Sequence, residues 1–471
     1  MIRIFRGINT CRVEAPEEVH KALDRHFALA VPGAWFSQLF KKHRWDGYAH
    51  FYSIARASFP SGLFNRVCAY LNMEDLQYHV YDNRVRPLDA KPLSPIGTEL
   101  RGYQTAAVDA IQNKQPCIVK AATNAGKTLM AAELVRRLNL PTLYLVNRKE
   151  LLHQTADRLE EYLGEPVGLV GDDISTVEKI TVAMPSTLVK SYKALGGVTK
   201  KVRPEYSKLL NSNVLILDEC QSLPDKRILN VVRNTKAYYR VAMSGTPLLN
   251  SDVDNMTLIG QFGDIGFEIT NTEMIDLGFS AKPEVLLFKI DVRNVLGSDY
   301  VTAYDKGIVN NKDRNTAIAN AAEVCSRAGM SVLVLVKEIQ HGLNIHKGLP
   351  GSKFVNGELP WATRSKIIDE FKSRKVLSLV SSSIMDVGID VDAIDVLVLA
   401  GGDYSPKLLL QRLGRGLRKR TDKDKLLVID FVDFGNVHLL THSQRRYSTL
   451  KQEGFTYTVL EDIDDLISRV R

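Results

Sequence analysis

The chain has 471 residues, enough for roughly three domains at about 100–200 residues each. Hydrophobic residues make up 45% and charged residues 25% of it, an ordinary globular composition, and no apolar run approaches the ~18 residues that span a bilayer. The 62 Lys and Arg residues against 54 Asp and Glu residues leave a net charge of +8, which favours a polyanionic partner such as nucleic acid.

The first residues and the cysteine content indicate a cytoplasmic protein. The chain starts without the charged-then-apolar pattern of a signal peptide. Its five cysteines are odd in number and form no Cys-x-x-Cys pair, so we expect neither a disulfide framework nor a zinc site. We therefore expect an intracellular protein with no membrane partner.

The first 92 residues are rich in Phe, Trp and Tyr and are predicted to form a small accessory domain, 1–92. A turn-rich stretch at 87–97 carries three prolines and is predicted to be a linker. Lys41, Lys42 and Arg44 directly precede a tryptophan, and such groups can bind phosphate and stack on bases. We expect the Phe and Tyr side chains to form the core of this domain, while the three basic residues are either solvated or contacts to nucleic acid.

Short apolar strands alternate with helical segments from residue 98 onward, and this pattern is typical of a buried parallel sheet. The same alternation begins again after a predicted hinge near 276–283. The predicted fold class is therefore α/β, with two tandem parallel-sheet domains at 98–275 and 284–435. A tail at 436–471 is predicted to be helical because its last apolar residues follow helical spacing. These residues are Leu460, Ile463, Leu466, Ile467 and Val470.

A phosphate-binding loop is predicted between a short apolar run and a helix. The segment from Ala121 to Thr128 reads Ala-Ala-Thr-Asn-Ala-Gly-Lys-Thr, and its small residues allow backbone N–H groups to approach phosphates at a helix N-terminus. Lys127 is predicted to contact the β- and γ-phosphates of ATP, and the Thr128 hydroxyl to bind Mg²⁺. The predicted nucleotide contacts of this loop are Thr123, Asn124, Ala125, Gly126, Lys127 and Thr128.

Two adjacent carboxylates follow a later strand-like run. Asp218 and Glu219 end the segment Asn-Val-Leu-Ile-Leu, so both should emerge at the carboxyl edge of the sheet, beside the loop. Asp218 is predicted to hold Mg²⁺ through water, and Glu219 to polarise the attacking water. Together with Lys127, these residues predict a nucleotide hydrolase.

An arginine-rich segment, Gln411 to Arg420, follows in the second α/β domain. Arg415 and Arg418 stand three residues apart, so on a helix they lie on one face. They are predicted to neutralise charge on the transferred phosphoryl group, with Gln411 as a further catalytic residue. This segment and the second domain argue against a simple phosphate-loop kinase.

Six further segments complete a set of motifs in a characteristic order. They are Leu-Arg-Gly-Tyr-Gln at 100–104, Asn-Arg-Lys-Glu-Leu at 147–151, the segment 184–188, Ser-Gly-Thr-Pro at 244–247, and the segments 332–340 and 381–390, the latter ending in Gly-Ile-Asp. With the loop, Asp-Glu-Cys-Gln at 218–221 and the arginine segment, they resemble the motifs of superfamily 2 helicases, and within them of the phage UvsW-type and XPB-like branch. The resemblance covers about residues 98–435.

The resemblance implies roles for residues that the spacing alone does not assign. It implies adenine recognition by Gln104 with Arg101, nucleic-acid contacts at Arg148, Ser186, Thr187 and Lys337, a coupling motif at Ser244 and Thr246, and further ATP contacts at Gly388 and Asp390. The aromatic N-terminal region also resembles an accessory domain of the UvsW type, which is thought to contact DNA.

The family resemblance implies two RecA-like domains that bind ATP and Mg²⁺ and step along one strand of DNA. The UvsW-type branch implies forked or branched DNA as substrate, branch migration, unwinding or reannealing, and 3′ to 5′ polarity; a phage-encoded protein would work in the host cytoplasm. Two alternatives stay open within the same fold, an RNA helicase and the motor subunit of a restriction or packaging complex.

Overall fold

The computed structural model describes residues 1–94, 97–193, 204–382, 394–405, 409, 413–414, 416–417 and 425–470. They form two compact units. The first comprises Met1–Ala121 and Ala125–Ile269, and the second comprises Ala122–Asn124 and Thr270–Arg471. Among the described residues, no helix has both the length and the apolar character that crossing a membrane requires.

The N-terminal part of the first unit is a small sheet with one buried face. Its strands are β1 (Ile2–Arg6), β2 (Thr10–Glu14), β5 (Ser58–Pro60) and β6 (Tyr78–Asp82), beside a separate antiparallel pair of β3 (Ala28–Ala30) and β4 (Tyr48–His50). The order is β5-β2-β1-β6, and β6 runs parallel to β1. Alternate residues such as Ile4 and Val13 are buried, as expected for a sheet covered on one side. The helices are α1 (Glu17–His26), α2 (Gln38–Lys41) and α3 (Phe64–Met73).

The larger part of the first unit is an eight-stranded, mainly parallel sheet. Its strands are β7 (Cys117–Ala121), β8 (Thr142–Leu145), β9 (Val167–Gly171), β10 (Ile174–Ser175), β11 (Ile180–Ala183), β12 (Val214–Asp218), β13 (Tyr239–Ser244) and β14 (Ile265–Ile269). The order is β10-β9-β11-β8-β12-β13-β7-β14, with β10 antiparallel to β9. Strands β8, β11 and β13 are buried along their whole length, which is typical of a parallel sheet covered on both faces. The helices are α4 (Gly102–Asn113), α5 (Lys127–Leu138), α6 (Lys149–Leu163), α7 (Pro185–Lys193), α8 (Pro204–Leu210), α9 (Lys226–Asn234) and α10 (Asp252–Phe262).

The N-terminal sheet and the eight-stranded sheet share one hydrophobic core. Ile4 of β1 belongs to the same cluster of buried residues as Ile118 of β7 and Phe262 of α10. Glycine at position 62 permits the close approach, because a Cβ on Gly62 would lie 2.0 Å from the carbonyl oxygen of Ile259. The aromatic N-terminal region is therefore packed into the same unit as the first α/β domain.

A fully buried arginine ties the two sheets together by hydrogen bonds. Arg240, in β13, is 1% exposed and donates to the side-chain oxygen of Asn9 and to the carbonyl oxygens of Thr235 and Gln261, at 3.3 and 3.2 Å. Asn9, between β1 and β2, donates in turn to the carbonyl oxygens of Arg233 and Thr235, both at 3.0 Å. Burial lowers the pKa of Arg240 to about 10, because surroundings of low polarity disfavour its charge.

We expect the substitution Asn9→Ala to lower the free energy of unfolding by about 1–3 kcal/mol, because it removes an acceptor from a buried cation and a donor to the carbonyl oxygen of Arg233 at the end of α9. Urea denaturation followed by circular dichroism measures the change. Asn113→Ala, at the exposed end of α4, is the matched control and should stay within about 0.5 kcal/mol of the parent protein. Equal stabilities of the two variants would show that Asn9 does not hold the sheets together.

The predicted linker is fixed to helix α5. Its described residues, 87–94 and 97, contain no helix or strand. Leu93 and Arg136 nevertheless exchange two hydrogen bonds of 3.0 Å, and the side chain of Asn139 donates to the carbonyl oxygen of Lys91 at 2.7 Å. The stretch thus runs along the first unit as an anchored connection.

The second unit is built on a seven-stranded parallel sheet. Its strands are β15 (Lys282–Asp291), β16 (Val332–Leu335), β17 (Lys353–Val355), β18 (Ser378–Ser381), β19 (Val396–Leu399), β20 (Lys425–Phe434) and β21 (Tyr457–Leu460), in the order β17-β18-β16-β19-β20-β15-β21. The described helices are α11 (Asn271–Asp276), α12 (Tyr300–Tyr304), α13 (Lys312–Arg327), α14 (Ile339–Gly348), α15 (Trp361–Lys372), α16 (Val437–Gln452) and α17 (Ile463–Val470).

Two ion pairs lie inside the second unit. Arg314 of α13 pairs with Asp433 of β20 at 2.7 Å, and Arg446 of α16 pairs with Asp430 of β20 at 2.8 Å. Burial alone would lower the pKa of Arg446, but the carboxylate of Asp430 raises it above its usual value. Because removal of one partner would leave a buried charge uncompensated, the pairs fix the register of both helices on the sheet.

The C-terminal tail differs from the helix predicted for it. Residues 457–460 form β21, which pairs in parallel with β15, and the helix begins only at Ile463. Asp462 determines this start, because its side chain accepts from the backbone N–H groups of Asp464 and Asp465 at 2.9 and 3.1 Å. The helix predicted from the spacing is confirmed for Ile463, Leu466, Ile467 and Val470 and is wrong for Leu460, which is buried as a strand residue.

Candidate functional site

The predicted phosphate loop joins β7 to α5 at the carboxyl edge of the eight-stranded sheet. Gly126 caps α5 in a left-handed conformation with a φ of +81°, and Asn124 has a φ of +71°. A Cβ on Gly126 would lie 2.4 Å from Nε2 of Gln104, so this position requires glycine for conformation and for space. The helix behind the loop starts at Lys127, and its first N–H groups lack helical acceptors, as an anion-binding helix terminus requires.

Gln104, predicted to recognise adenine, lies against the loop. Its side chain is 3% exposed, and its Nε2 donates to the carbonyl oxygen of Ala125 at 3.0 Å. Its Oε1 accepts from the N–H of Arg101 at 2.9 Å, which forms a capping box at the start of α4. The hydroxyl of Tyr103 also donates to Ala125, at 3.1 Å. The segment 101–104 therefore holds the loop, and the amide of Gln104 keeps one further donor and one further lone pair.

Three adjacent strands bring the predicted hydrolytic residues to one edge. Strand β13 lies between β12 and β7, with Asp218 paired in register to Met243, and Ser244 to Lys120. Asp218 thus ends one strand, Ser244 ends the next, and the phosphate loop follows the third. Because parallel strands end at the same edge, the prediction that Asp218 and Glu219 emerge beside the loop agrees with this topology.

Asp218 is a half-buried carboxylate in the electrostatic field of Lys127. Tyr144 of β8 donates its hydroxyl to Oδ2 of Asp218 at 3.3 Å, and the N–H of Glu219 donates to Oδ1 at 2.9 Å. Burial and the neighbouring Glu219 raise the pKa of Asp218 to about 6, whereas the positive charge of Lys127 acts to lower it. The site therefore favours additional positive charge next to Asp218.

Glu219 has a strained backbone and is connected to the coupling motif. Its φ of +48° places a residue with a side chain in the left-handed region, which is uncommon and is found often at functional sites. The side-chain amide of Gln221 donates to the carboxylate of Glu219. The carbonyl oxygen of Gln221 accepts from the side chain of Asn250 at 2.8 Å, shortly after the segment Ser244–Thr246.

The predicted coupling residues form a compact turn. Ser244 is fully buried and Thr246 is 5% exposed, and the N–H of Thr246 donates to Oγ of Ser244 at 2.9 Å. Oγ1 of Thr246 is buried without a hydrogen-bond partner among the described residues. A buried hydroxyl of this kind is available to a group that arrives during the reaction.

The donor set fits Mg²⁺ bound together with a nucleotide. Asp218 supplies a carboxylate whose charge burial disfavours, and Thr128 lies in the first turn of α5. In the part of the chain that the structure describes, no group of three or more His, Cys, Asp and Glu residues could hold a metal by protein ligands alone. In a typical Mg²⁺–nucleotide site, one or two protein ligands combine with phosphate oxygens and water.

The predicted nucleic-acid contacts of the first unit follow two neighbouring strands. Arg148 is the residue before α6, after β8, while Ser186 and Thr187 begin α7, after β11. Strands β8 and β11 pair in parallel, with Leu145 opposite Ala183, so the three polar residues share one edge of the sheet. All three are partly exposed.

Only part of the predicted site of the second unit lies in the described residues. Lys337 follows β16, is exposed, and holds its Nζ 5.0 Å above the ring of Tyr304. Leu413 and Leu417 of the arginine segment are both 1% exposed. The predicted residues outside the described part of the chain are Gly388, Asp390, Gln411, Arg415 and Arg418.

The aromatic residues of the accessory region are divided between its core and its surface. The expectation of core aromatics is confirmed at Tyr52 and Phe59, each 2% exposed, and is wrong at Tyr48, which is 46% exposed. Lys41, Lys42 and Arg44 are exposed. Tyr144 was not among the predicted site residues, although a tyrosine inside an otherwise apolar central strand signals a buried hydroxyl that needs a partner.

Two known families match successive parts of the chain. The family described as "Type III restriction enzyme, res subunit" matches residues 97–249. The family described as "Helicase conserved C-terminal domain" matches residues 316–420. The first match contains the phosphate loop and the acidic pair, and the second contains the predicted arginine segment.

Two proteins of similar sequence are named as DNA helicases, and one solved structure has a similar fold. The ATP-dependent DNA helicase uvsW of Enterobacteria phage T4 is 23% identical over 511 residues, which cover 97% of this chain and 98% of uvsW. The Rad25 protein of Haloarcula marismortui, named as a DNA 3'-5' helicase, is 26% identical over 69% of this chain, and the chain spans about half of its length, 51%. The structure of S. cerevisiae Dbp5 bound to RNA and ADP BeF3 has a TM-score of 0.52 at 16% identity and covers 80% of this chain and 93% of Dbp5.

One parallel sheet carries both a phosphate loop and a strand that ends in acidic residues, and a second parallel sheet follows it in the chain. This combination is that of a helicase-type nucleotide hydrolase. The two matched families and the alignment with uvsW support an ATP-dependent helicase of the superfamily 2 type. The predicted family and the α/β fold class with two RecA-like parallel-sheet domains are confirmed.

Proposed function

We propose that the chain is an ATP-dependent motor that moves along DNA with 3′ to 5′ polarity and remodels forked or four-way DNA. The observation that carries the proposal is the edge of the first sheet, where the phosphate loop, Ser244 and Asp218 follow three adjacent strands. Alignment with a protein named as a DNA helicase over 97% of the chain supports DNA as the polymer.

The residues around the loop divide the work of hydrolysis. The N–H groups at the start of α5 bind phosphate oxygens, and Lys127 neutralises their charge. Glu219 orients and deprotonates the attacking water, since its strained backbone fixes the carboxylate beside the site. Gln104 and Arg101 keep the loop in place and contact the adenine.

Asp218 and Thr128 would hold Mg²⁺ together with the nucleotide phosphates. The cation would neutralise charge on the β- and γ-phosphates when it is bound. The high pKa of Asp218 is consistent with this role, because a nearby cation offsets the cost of a half-buried carboxylate.

Arg148, Ser186, Thr187 and Lys337 are proposed to bind the DNA backbone. Hydroxyl and cationic groups of this kind donate to phosphate oxygens without reading sequence. Ser244 and Thr246 are proposed to transmit the state of the nucleotide, because the chain from Thr246 to Asn250 contacts Gln221, which binds Glu219.

We expect Arg415→Ala and Arg418→Ala each to lower kcat by about tenfold or more and to change ATP affinity little, because a finger arginine acts mainly in the transition state. Steady-state ATPase assays combined with equilibrium binding of a fluorescent ATP analogue separate the two quantities. Arg374→Ala, outside the arginine segment, is the control. A variant with unchanged kcat and weaker ATP binding would contradict the finger role.

The test of the function is the ATPase rate with single-stranded DNA, duplex DNA, a fork, a four-way junction and RNA, all at one salt concentration because phosphate contacts depend on salt. We expect the largest stimulation from forked or four-way DNA. Equal rates with and without every polymer would overturn the proposal of a nucleic-acid motor.

An RNA helicase is the second candidate, because the structurally similar Dbp5 is bound to RNA. RNA as the strongest activator would favour it. A motor of a restriction complex is a third, supported by the description of the family that matches residues 97–249. A weak ATPase activity that rises when partner chains are added would favour the restriction-complex motor.

A further inference from the structure

The segment that connects β3 to β4 carries a patch of exposed apolar side chains. We refer to residues 31–48 as the aromatic loop. Its exposed apolar side chains, with the exposed fraction of each residue, are Trp35 (60%), Phe36 (74%), Leu39 (55%), Phe40 (37%) and Tyr48 (46%). Single exposed apolar residues are ordinary, but several in one short segment mark a binding surface.

The backbone of the aromatic loop is ordered by its own hydrogen bonds. Nε1 of Trp45 donates to the carbonyl oxygen of Tyr48 at 2.7 Å. The N–H of Val31 donates to the carbonyl oxygen of Gly47 at 2.9 Å. A Cβ on Gly47, whose φ is +87°, would lie 3.0 Å from the ring of Phe40, so this ring packs against the backbone. The loop thus presents its outer aromatic rings from a fixed base, which lowers the entropy cost of binding.

The charge of the aromatic loop is positive. Lys41, Lys42 and Arg44 are exposed and form no ion pair with any residue that the structure describes. Asp46 is the acidic residue of the segment, and it pairs with His50 at 2.8 Å. The surface therefore combines flat apolar rings with uncompensated cations, which complements a strand of bases and phosphates.

We propose that the aromatic loop binds unpaired bases of a nucleic-acid strand. Trp35 and Phe36 stack on bases, and Lys41, Lys42 and Arg44 bind the adjoining phosphates. The ring centroids of Trp35 and Phe36 are 5.7 Å apart with a 46° tilt, so the two rings present separate faces. The proposal rests on the proposed function as a nucleic-acid motor and names the strand feature that this region recognises.

Unpaired bases fit this surface better than a duplex does. A duplex buries the faces of its bases in the stack, whereas a displaced or single strand exposes them to aromatic side chains. The aromatic loop also belongs to the unit that contains β7 and α5, and the N-terminal sheet shares a core with the eight-stranded sheet. A strand held by Trp35 therefore moves together with that sheet.

Tryptophan fluorescence tests the proposal directly. The chain has three tryptophans, so the variant Trp361→Phe leaves Trp35 and Trp45, both in the aromatic loop, as the emitters and keeps the hydrogen bond of Trp45. The same variant with Trp35→Phe added shows how much of the signal comes from Trp35. We expect strong quenching by a poly(dT) oligonucleotide and little quenching by a closed dumbbell duplex with the same number of phosphates. Equal quenching by both would overturn the role of unpaired bases.

The affinity of variants for poly(dT) provides a second test of the proposal. We expect Trp35→Ala/Phe36→Ala to weaken binding of poly(dT) roughly tenfold, with Trp35→Phe close to the parent protein and the ATPase rate without DNA unchanged. Leu88→Ala removes an apolar side chain that is 91% exposed outside the loop and is the matched control. An equal loss in the control would overturn the proposal.

The outcomes separate this inference from the proposed function. If no nucleic acid stimulates the ATPase of the parent protein, the motor function fails. If stimulation is present but the double alanine variant binds poly(dT) normally, only the aromatic loop inference fails. A variant that loses self-association in analytical ultracentrifugation, with normal poly(dT) affinity, would identify the loop as a contact between copies and would also overturn it.

Discussion

Lys127→Ala is expected to lower the ATPase rate by roughly 10²–10³-fold and to leave DNA binding unchanged. The loss follows because a fixed cation beside the developing phosphate charge is worth about that factor in rate. Lys127 also opposes the rise in the pKa of Asp218, so its removal makes ionisation of this half-buried carboxylate harder still. Phosphate release measured at saturating DNA, together with fluorescence anisotropy of a labelled oligonucleotide, tests both parts.

Lys208→Ala is the control for this variant, since Lys208 is an exposed lysine of α8 in the same unit. Its ATPase rate should equal that of the parent protein. Full activity of Lys127→Ala would remove Lys127 from the site. Loss of DNA binding in this variant would instead indicate that the phosphate loop contributes to strand binding.

Glu219→Gln is expected to lower kcat by roughly 10²–10⁴-fold, the usual contribution of a general base, while ATP still binds. Glutamine keeps the shape of the side chain and can remain bonded to Gln221, so the local structure should survive. What is lost is the negative charge that accepts a proton from water. Single-turnover hydrolysis and equilibrium binding of ATP distinguish a chemical defect from a binding defect.

The control for the second variant is Glu178→Gln, an exposed glutamate between β10 and β11. It should have a normal kcat. If Glu219→Gln hydrolysed ATP at the parental rate, another group would have to activate the water, and Asp218 would be the nearest carboxylate. A matched fall in kcat and in ATP affinity would indicate a distorted loop.

Much of the motor could be predicted from sequence because its signals are local. Helix α6 (Lys149–Leu163) is an example, because its apolar period and the glycine at position 164 that ends it are both signals within the segment. The phosphate loop and Asp218 lie at strand ends for the same reason. A short apolar run followed by a polar motif marks the edge of a parallel sheet.

Contacts between distant segments could not be predicted. Arg240 reads as an ordinary basic residue in a strand, and its burial depends on Asn9, far away in the chain. The tail shows a second limit, because a strand followed by a capped helix shares the apolar spacing of one long helix. The exposure of Trp35 and Phe36 was missed because aromatic composition predicts a core and does not say which rings face water.

The shared core of the two sheets in the first unit has a practical consequence for dissecting the protein. A fragment that starts after residue 92 would open the carbonyl-lined site of Arg240 to water and expose the side of Phe262 that Ile4 and its neighbours cover. Such a fragment would aggregate or lose ATPase activity from damage to the sheet, whether or not the missing residues touch DNA. Point substitutions on the surface, and not truncation, are therefore the way to assign a role to the first 92 residues.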